Sequence, residues 1–225
     1  MFRRANTRIL WPRSRDRRSK KSTQRDISSI EKGTFLREEK VKILFVCTGN
    51  ICRSAMAESL FNHHARQHGL EIKAHSSGTD AISGNNATDL AVDVLADRGI
   101  DLKDHRAQQL TSDQIADSQI VIAMTRQHEA VVAKEDQLAR SRTFLTGEIS
   151  RIGSQIGPLQ SQNLADWLQV LNEARGGHMT TGRLRDEIAD PWGQPRDIYE
   201  QTAKRLEGHI THLVRLLSDD QRSNG

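Results

Sequence analysis

Residues 41–58 read VKILFVCTGNICRSAMAE, and the change of texture inside this stretch decides the fold. Val41, Ile43, Leu44, Phe45 and Val46 make the short, β-branched-rich run of a strand buried on both faces. The run stops at Cys47. A polar loop, Cys47-Thr48-Gly49-Asn50-Ile51-Cys52-Arg53-Ser54, follows, and beyond it Ala57, Leu60, Phe61 and Ala65 recur at helical spacing until Gly69 supplies a stop. That spacing predicts a helix over 54–68. Strand, tight loop and helix are the first half of a βαβ unit.

Working outward, further strands are expected at Glu71–His75, Gln119–Met124 and Thr143–Leu145, with helices at Ala87–Arg98, Gln127–Lys134 and Asp197–Leu217. The last helix carries Ile198, Leu206, Ile210, Leu213 and Leu217 on one stripe. Strands alternating with helices indicate a doubly wound α/β fold, a parallel sheet with helices on both faces. The Gln- and Gly-rich segment from Gly153 to Gly182 is weakly periodic, so irregular chain or a short helix near Leu164–Leu171 is expected there. Residues 1–39 show no period of 2 or 3.6 and are expected to be a basic, disordered N-terminal extension. One domain should then span 40–219, with 220–225 a disordered C-terminus.

Composition narrows the function. The chain of 225 residues carries a net charge of +4, but residues 1–25 hold ten Lys/Arg against Asp16 alone, which leaves the other 200 residues at −5. A mildly acidic body behind a basic leader argues against nucleic acid as a partner. No stretch approaches the roughly 18 apolar residues of a membrane span, and the N-terminus lacks the apolar centre of a secretory signal. The two cysteines, Cys47 and Cys52, are too few for a disulfide framework or a four-cysteine zinc site. Any cysteine chemistry is therefore catalytic or redox, and the expected compartment is the cytoplasm.

The loop sits where a buried strand hands over to a helix, the place where open parallel sheets bind ligands. Its peptide N–H groups can turn inward around phosphate oxygens, and the dipole of the following helix favours negative charge. Gly49 and Asn50 are residue types that tolerate left-handed backbone. Arg53 can close the nest with a planar, bidentate guanidinium. The same field stabilises a thiolate at Cys47, able to attack phosphorus in line. Ser54 is placed to donate a hydrogen bond to that sulfur. The spacing lacks the second glycine and the lysine of a nucleotide-binding loop.

Val46 to Glu58 resembles the signature of the low-molecular-weight protein tyrosine phosphatase family. Further similarities run in order through His75-Ser76-Ser77-Gly78-Thr79, Gly99-Ile100-Asp101-Leu102, Asp104-His105-Arg106-Ala107, Met124 and Asp190-Pro191. The resemblance covers about Lys40 to Asp219. It implies a flavodoxin-like fold with a four-stranded parallel sheet, and two-step hydrolysis of phosphomonoesters on phosphorylated proteins with no metal and no cofactor. Carried over residue by residue, it makes Cys47 the nucleophile, Arg53 the phosphate clamp and Asp190 the general acid and base. Thr48, Gly49, Asn50, Ile51, Cys52 and Ser54 line the phosphate, and Asn50, Ser76 and His105 hold the loop in shape through hydrogen bonds. The chain departs from the family at Asn85–Asp89, where a proline is common, and in a longer linker before Asp190.

Attack on a phosphate ester leaves an oxyanion that needs a proton, and the same group must later deprotonate water. Asp190 fits this, stiffened by Pro191 and flanked by the flat apolar surface of Trp192. Cys52 has two readings, a resolving partner that forms a reversible disulfide with Cys47 or a small side chain packing the loop. Of the nine histidines, His64 and His68 on the first helix, and His209 and His212 on the last, are expected to be solvated rather than metal-bound. Phosphotyrosine is the expected substrate side chain. Met124-Thr125-Arg126-Gln127-His128 and Trp192-Gly193 resemble an arginine-phosphatase branch instead, whereas Ile51 stands where that branch resembles a loop with threonine. An arsenate reductase would need further cysteines, and intact Cys47, Arg53 and Asp190 argue against a non-catalytic phosphate-binding module.

Overall fold

The computed structural model describes residues 41–160, 162–177 and 182–218. The extension over 1–39 and the tail over 220–225 lie outside the described residues. The apolar run becomes strand β1 (Lys42–Cys47), and the loop after it leads into helix α1 (Arg53–Gln67). Then come β2 (Lys73–Gly78), α2 (Asp89–Ala96), α3 (Ser112–Ala116) and β3 (Ile120–Ala123). α4 (Arg126–Glu135), β4 (Thr143–Leu145), α5 (Thr146–Ile156), α6 (Leu164–Ala174) and α7 (Arg196–Leu217) complete the order.

The strands form one parallel sheet in the order β2-β1-β3-β4. β1 is inside it, so Val46 registers with Ser77 on one side and Ala123 on the other. Period-two alternation then sends its side chains into two cores. Ile43, Phe45 and Cys47 pack with Leu60 and Phe61 of α1 and with Leu206, Ile210 and Leu213 of α7. Leu44 and Val46, with Val121 of β3, pack with Ile115 of α3 and Val132 of α4. Helices cover both faces, and the fold is the expected flavodoxin-like α/β architecture. At the carboxyl end of the central strands, β1 and β3 release the loops that begin at Cys47 and Met124.

Three expectations shift. β2 runs over Lys73–Gly78 rather than Glu71–His75, because Ser76, Ser77 and Gly78 carry no apolar signal and are made a strand by pairing with Phe45, Val46 and Cys47. Thr146–Ile156 forms α5, where irregular chain was expected from Gly153 onward, and α6 extends three residues beyond Leu171. Gly147 and Gly153 weaken α5 as a helix by about 1 kcal/mol each. Packing explains them: a Cβ on Gly153 would meet Leu216 Cδ1 at 2.3 Å, and one on Gly147 would meet Asp186 Cα at 2.7 Å. With Ile149 and Ile152 buried on the same helix, close approach to α7 at Gly153 and to the Asp186 backbone at Gly147 outweighs propensity.

Candidate active site

The loop between β1 and α1 is shaped by what its carbonyls do. Thr79 N–H donates to Cys47 O (2.9 Å), Asp80 N–H to Thr48 O (2.9 Å) and Thr88 N–H to Ile51 O (3.0 Å). His105 Nε2 donates to Asn50 O at 2.7 Å. In trans peptides the N–H lies opposite the C=O, so carbonyls held from outside turn the following N–H groups toward the loop centre. That is the geometry of an anion nest at the start of a helix. Gly78 permits the close approach of β2 that makes it possible, since a Cβ there would sit 2.3 Å from Thr48 O.

Asn50 organises the interior. It is fully buried with φ of 54°, in the left-handed region that asparagine tolerates. Its Oδ1 accepts from Gln108 N–H (2.8 Å), and its Nδ2 donates to Ser54 Oγ (2.9 Å) and Ser76 Oγ (2.8 Å). Ser76 donates onward to Glu58 Oε2 at 2.6 Å. Ser54 Oγ, which accepts from Asn50, has one proton and two acceptors in reach, Cys47 Sγ at 2.9 Å and Ser77 O at 3.5 Å, so the nearer sulfur takes it, and Asn50 N–H also faces that sulfur at 3.3 Å. Two donors thus converge on one buried sulfur. Burial pushes the Glu58 carboxyl up, opposed by the Ser76 bond and the nearby His105.

Arg53, 4% exposed, lies on the same side of the loop. Its Nη1 donates to Ile188 O (3.3 Å), and its Nη2 to Asp190 Oδ2 (2.6 Å) and Thr48 Oγ1 (3.4 Å). Its Nε is buried without a hydrogen-bond partner among the described residues, a donor available to an incoming oxyanion. The segment leading into Asp190 is tied down just before it: Ile188 N–H donates to Met124 O (2.8 Å), and Arg126 Nε to Glu187 Oε1 (2.8 Å). Asp190 itself is about half exposed, and Trp192 beside it is 66% exposed. Ile51 is half-buried and leans on the core.

The structure therefore brings together Cys47, Thr48, Asn50, Arg53, Ser54, Ser76, His105 and Asp190. Cys52 goes elsewhere: its buried Sγ lies 3.4 Å from both Thr88 Oγ1 and Tyr199 OH. Burial raises its thiol, partly offset by those two hydroxyls. Burial and Cys52 together push Tyr199 up to about 12. Both cysteines are free, and the Cys52 sulfur meets Tyr199 of α7.

The histidines need correction. His68 is exposed, but His64 is half-buried with Nε2 3.6 Å from Glu207 Oε1. His209 is half-buried and lowered mainly by that burial, and His212 Nε2 meets Ser154 Oγ at 2.8 Å. α7 packs on α1 and α5 and covers faces that the sequence alone leaves to solvent. No group of three metal-binding side chains occurs among the described residues. Sequence reasoning also passed over His128 as a site residue. Its ring bonds Thr48 Oγ1 (2.9 Å) and Thr125 Oγ1 (2.8 Å), and burial and then Arg53 hold it down to about 4.

Residues 42–150 match the family described as low molecular weight phosphotyrosine protein phosphatase. The chain is 32% identical over 180 residues to a protein-arginine-phosphatase of Bacillus subtilis, covering 80% of this chain and 99% of that protein. It is 31% identical over 176 residues to AmsI of Erwinia amylovora, a probable low molecular weight protein-tyrosine-phosphatase, covering 78% and 96%. Among solved structures, YwlE arginine phosphatase in a mutant form with a phosphorylated active-site serine superposes with a TM-score of 0.63 at 30% identity, covering 81% of this chain and 99% of that one.

Proposed function

This chain belongs to the low molecular weight phosphotyrosine protein phosphatase family and is a protein phosphatase, and from that premise we propose that it hydrolyses phosphotyrosine through a cysteinyl phosphate on Cys47. The observation that carries the mechanism is the bridge made by Arg53, whose Nη2 holds Asp190 at 2.6 Å across 137 residues of chain while its Nε remains open. A phosphoryl group entering the nest takes the guanidinium from Asp190 and leaves that carboxyl beside the ester oxygen.

In the first step the Cys47 thiolate attacks phosphorus, the P–O bond to the phenol breaks, and the Asp190 carboxyl gives its proton to the departing oxygen. In the second, Asp190 takes a proton from water as the water oxygen attacks phosphorus. The S–P bond then breaks, and phosphate leaves with the thiolate restored. The Ser54 hydroxyl and Asn50 N–H stabilise the sulfur anion at both ends of this cycle. Thr48, Gly49, Ile51 and Cys52 supply the inward peptide groups that spread the phosphoryl charge. Two free cysteines suit a reducing cytoplasm, and no helix among the described residues is long and apolar enough to cross a membrane.

Ile51 favours phosphotyrosine. Its apolar side chain beside the nest and the exposed Trp192 past Asp190 suit a flat phenyl ring, whereas the N–H edges of a phosphoarginine guanidinium would lose water against isoleucine at about 1–3 kcal/mol each. Protein phosphoarginine is the second reading, favoured by the similarity to the Bacillus subtilis protein-arginine-phosphatase. The test compares kcat/KM for phosphotyrosine and phosphoarginine peptides in wild type and Ile51→Thr, with Cys47→Ser as the blank. Wild type should prefer phosphotyrosine, and the threonine variant should shift toward phosphoarginine by about tenfold. A wild-type preference for phosphoarginine overturns the assignment.

A further inference from the structure

His128 sits on α4, outside the phosphate loop, yet the side chain at the loop's first turn is held through it. The ring is 4% exposed and lies between two threonines, Thr48 on the loop and Thr125 at the start of α4. Arginine nitrogens only donate, so the 3.4 Å contact from Arg53 Nη2 makes Thr48 Oγ1 an acceptor and leaves the threonine proton for His128. A neutral ring with its proton on Nδ1 lets every hydrogen run one way: from Arg53 to Thr48, from Thr48 O–H to Nε2, and from Nδ1–H to Thr125 Oγ1. The opposite tautomer would make Thr48 accept twice and turn its own proton away from the ring, toward the exposed mouth of the loop. Protonation is opposed by burial and by the Arg53 charge, against Asp190 and Glu187, which favour it.

We propose that His128 is a positioning residue which, as the neutral Nδ1–H tautomer, fixes Thr48 and through it the guanidinium of Arg53 for gripping phosphoryl oxygens. This rests on Arg53 being the phosphate clamp. In the structure Asp190 is the nearer partner of Nη2, at 2.6 Å against 3.4 Å. Once a phosphoryl group displaces Asp190, Thr48 is the fixed acceptor that remains on that nitrogen. A threonine without His128 behind it would be free to rotate in the exposed mouth of the loop.

The test has two independent readouts. Histidine ¹⁵N spectroscopy of the wild-type protein at pH 6 should show the His128 ring neutral with Nδ1 protonated, and a protonated ring or an Nε2–H tautomer overturns the proposal. Calorimetric titration with inorganic phosphate should show weaker binding by about fivefold in His128→Ala and in Thr48→Val. The double variant should be no worse than the weaker single, because both break one chain. His128→Gln, whose amide oxygen can still take the Thr48 proton, should recover most of the loss. Losses that multiply, or a glutamine variant as weak as the alanine one, refute the positioning role. Hydrolysis of p-nitrophenyl phosphate is read separately: a wild type that binds phosphate but never turns over counts against the phosphatase mechanism and leaves the His128 result standing.

Discussion

Replacing Asn50 with alanine should cost more than any other single truncation in the loop. The side chain is fully buried and makes three hydrogen bonds, accepting from Gln108 N–H and donating to Ser54 and Ser76. Orphaning the Gln108 amide costs about 1–3 kcal/mol, and losing the two donated bonds about 1 kcal/mol each. The φ of 54° adds about 1–2 kcal/mol once the residue is alanine. The sum, at least about 4 kcal/mol, is a large part of the roughly 5–15 kcal/mol that holds a domain together. Urea unfolding should show the midpoint falling with little change in slope. Asn50→Gly loses the same bonds without the left-handed penalty, so it should be more stable than Asn50→Ala by about 1 kcal/mol. An alanine variant within about 1 kcal/mol of wild type, or a glycine variant no better than alanine, would show that Asn50 does not hold the loop as described.

If Asp190 protonates the leaving group, Asp190→Ala should impair phenyl phosphates with poor leaving groups far more than p-nitrophenyl phosphate, and equal losses across a leaving-group series would exclude that role. The His128 ring, held down to about 4 from 6.5, gives a stability signature with a defined sign. The unfolded chain takes up that proton first as the pH falls, so this residue removes stability between about pH 6.5 and pH 4, up to about 3 kcal/mol. The wild-type advantage over His128→Gln in urea should therefore shrink on acidification through this window, and a constant advantage would contradict it.

The sheet was legible because its central strands are buried on both faces. The apolar run before Cys47 and the one before Met124 admit no polar interruption, and each lies within one residue of its expected place. β2 shifted because its last three residues are chosen for the site and not the core: Ser76 for Asn50 and Glu58, Gly78 for the approach to Thr48. α5 was illegible for the opposite reason. Its glycines look like helix breakers along the chain, and only the fold shows the Asp186 backbone crowding Gly147 and the Leu216 side chain lying over Gly153.

In the site the dividing line falls between residue type and direction. A cysteine, an arginine and a serine at fixed spacing after a strand announce an anion nest, because all three reach the centre from one short loop. Which hydroxyl gives its proton to which neighbour depends on contacts 80 residues away for Thr48 and His128, and 147 away for Cys52 and Tyr199. A sequence pattern reports burial through period, but a hydrogen-bond chain has a sense that periodicity does not encode. Among histidines spread along the chain, His128 differs from the exposed His68 only in what the fold packs around it. Burial and the Arg53 charge favour its neutral form, and a neutral imidazole accepts at one nitrogen and donates from the other, which gives a ring between two threonine hydroxyls a hydrogen-bond chain with a single sense.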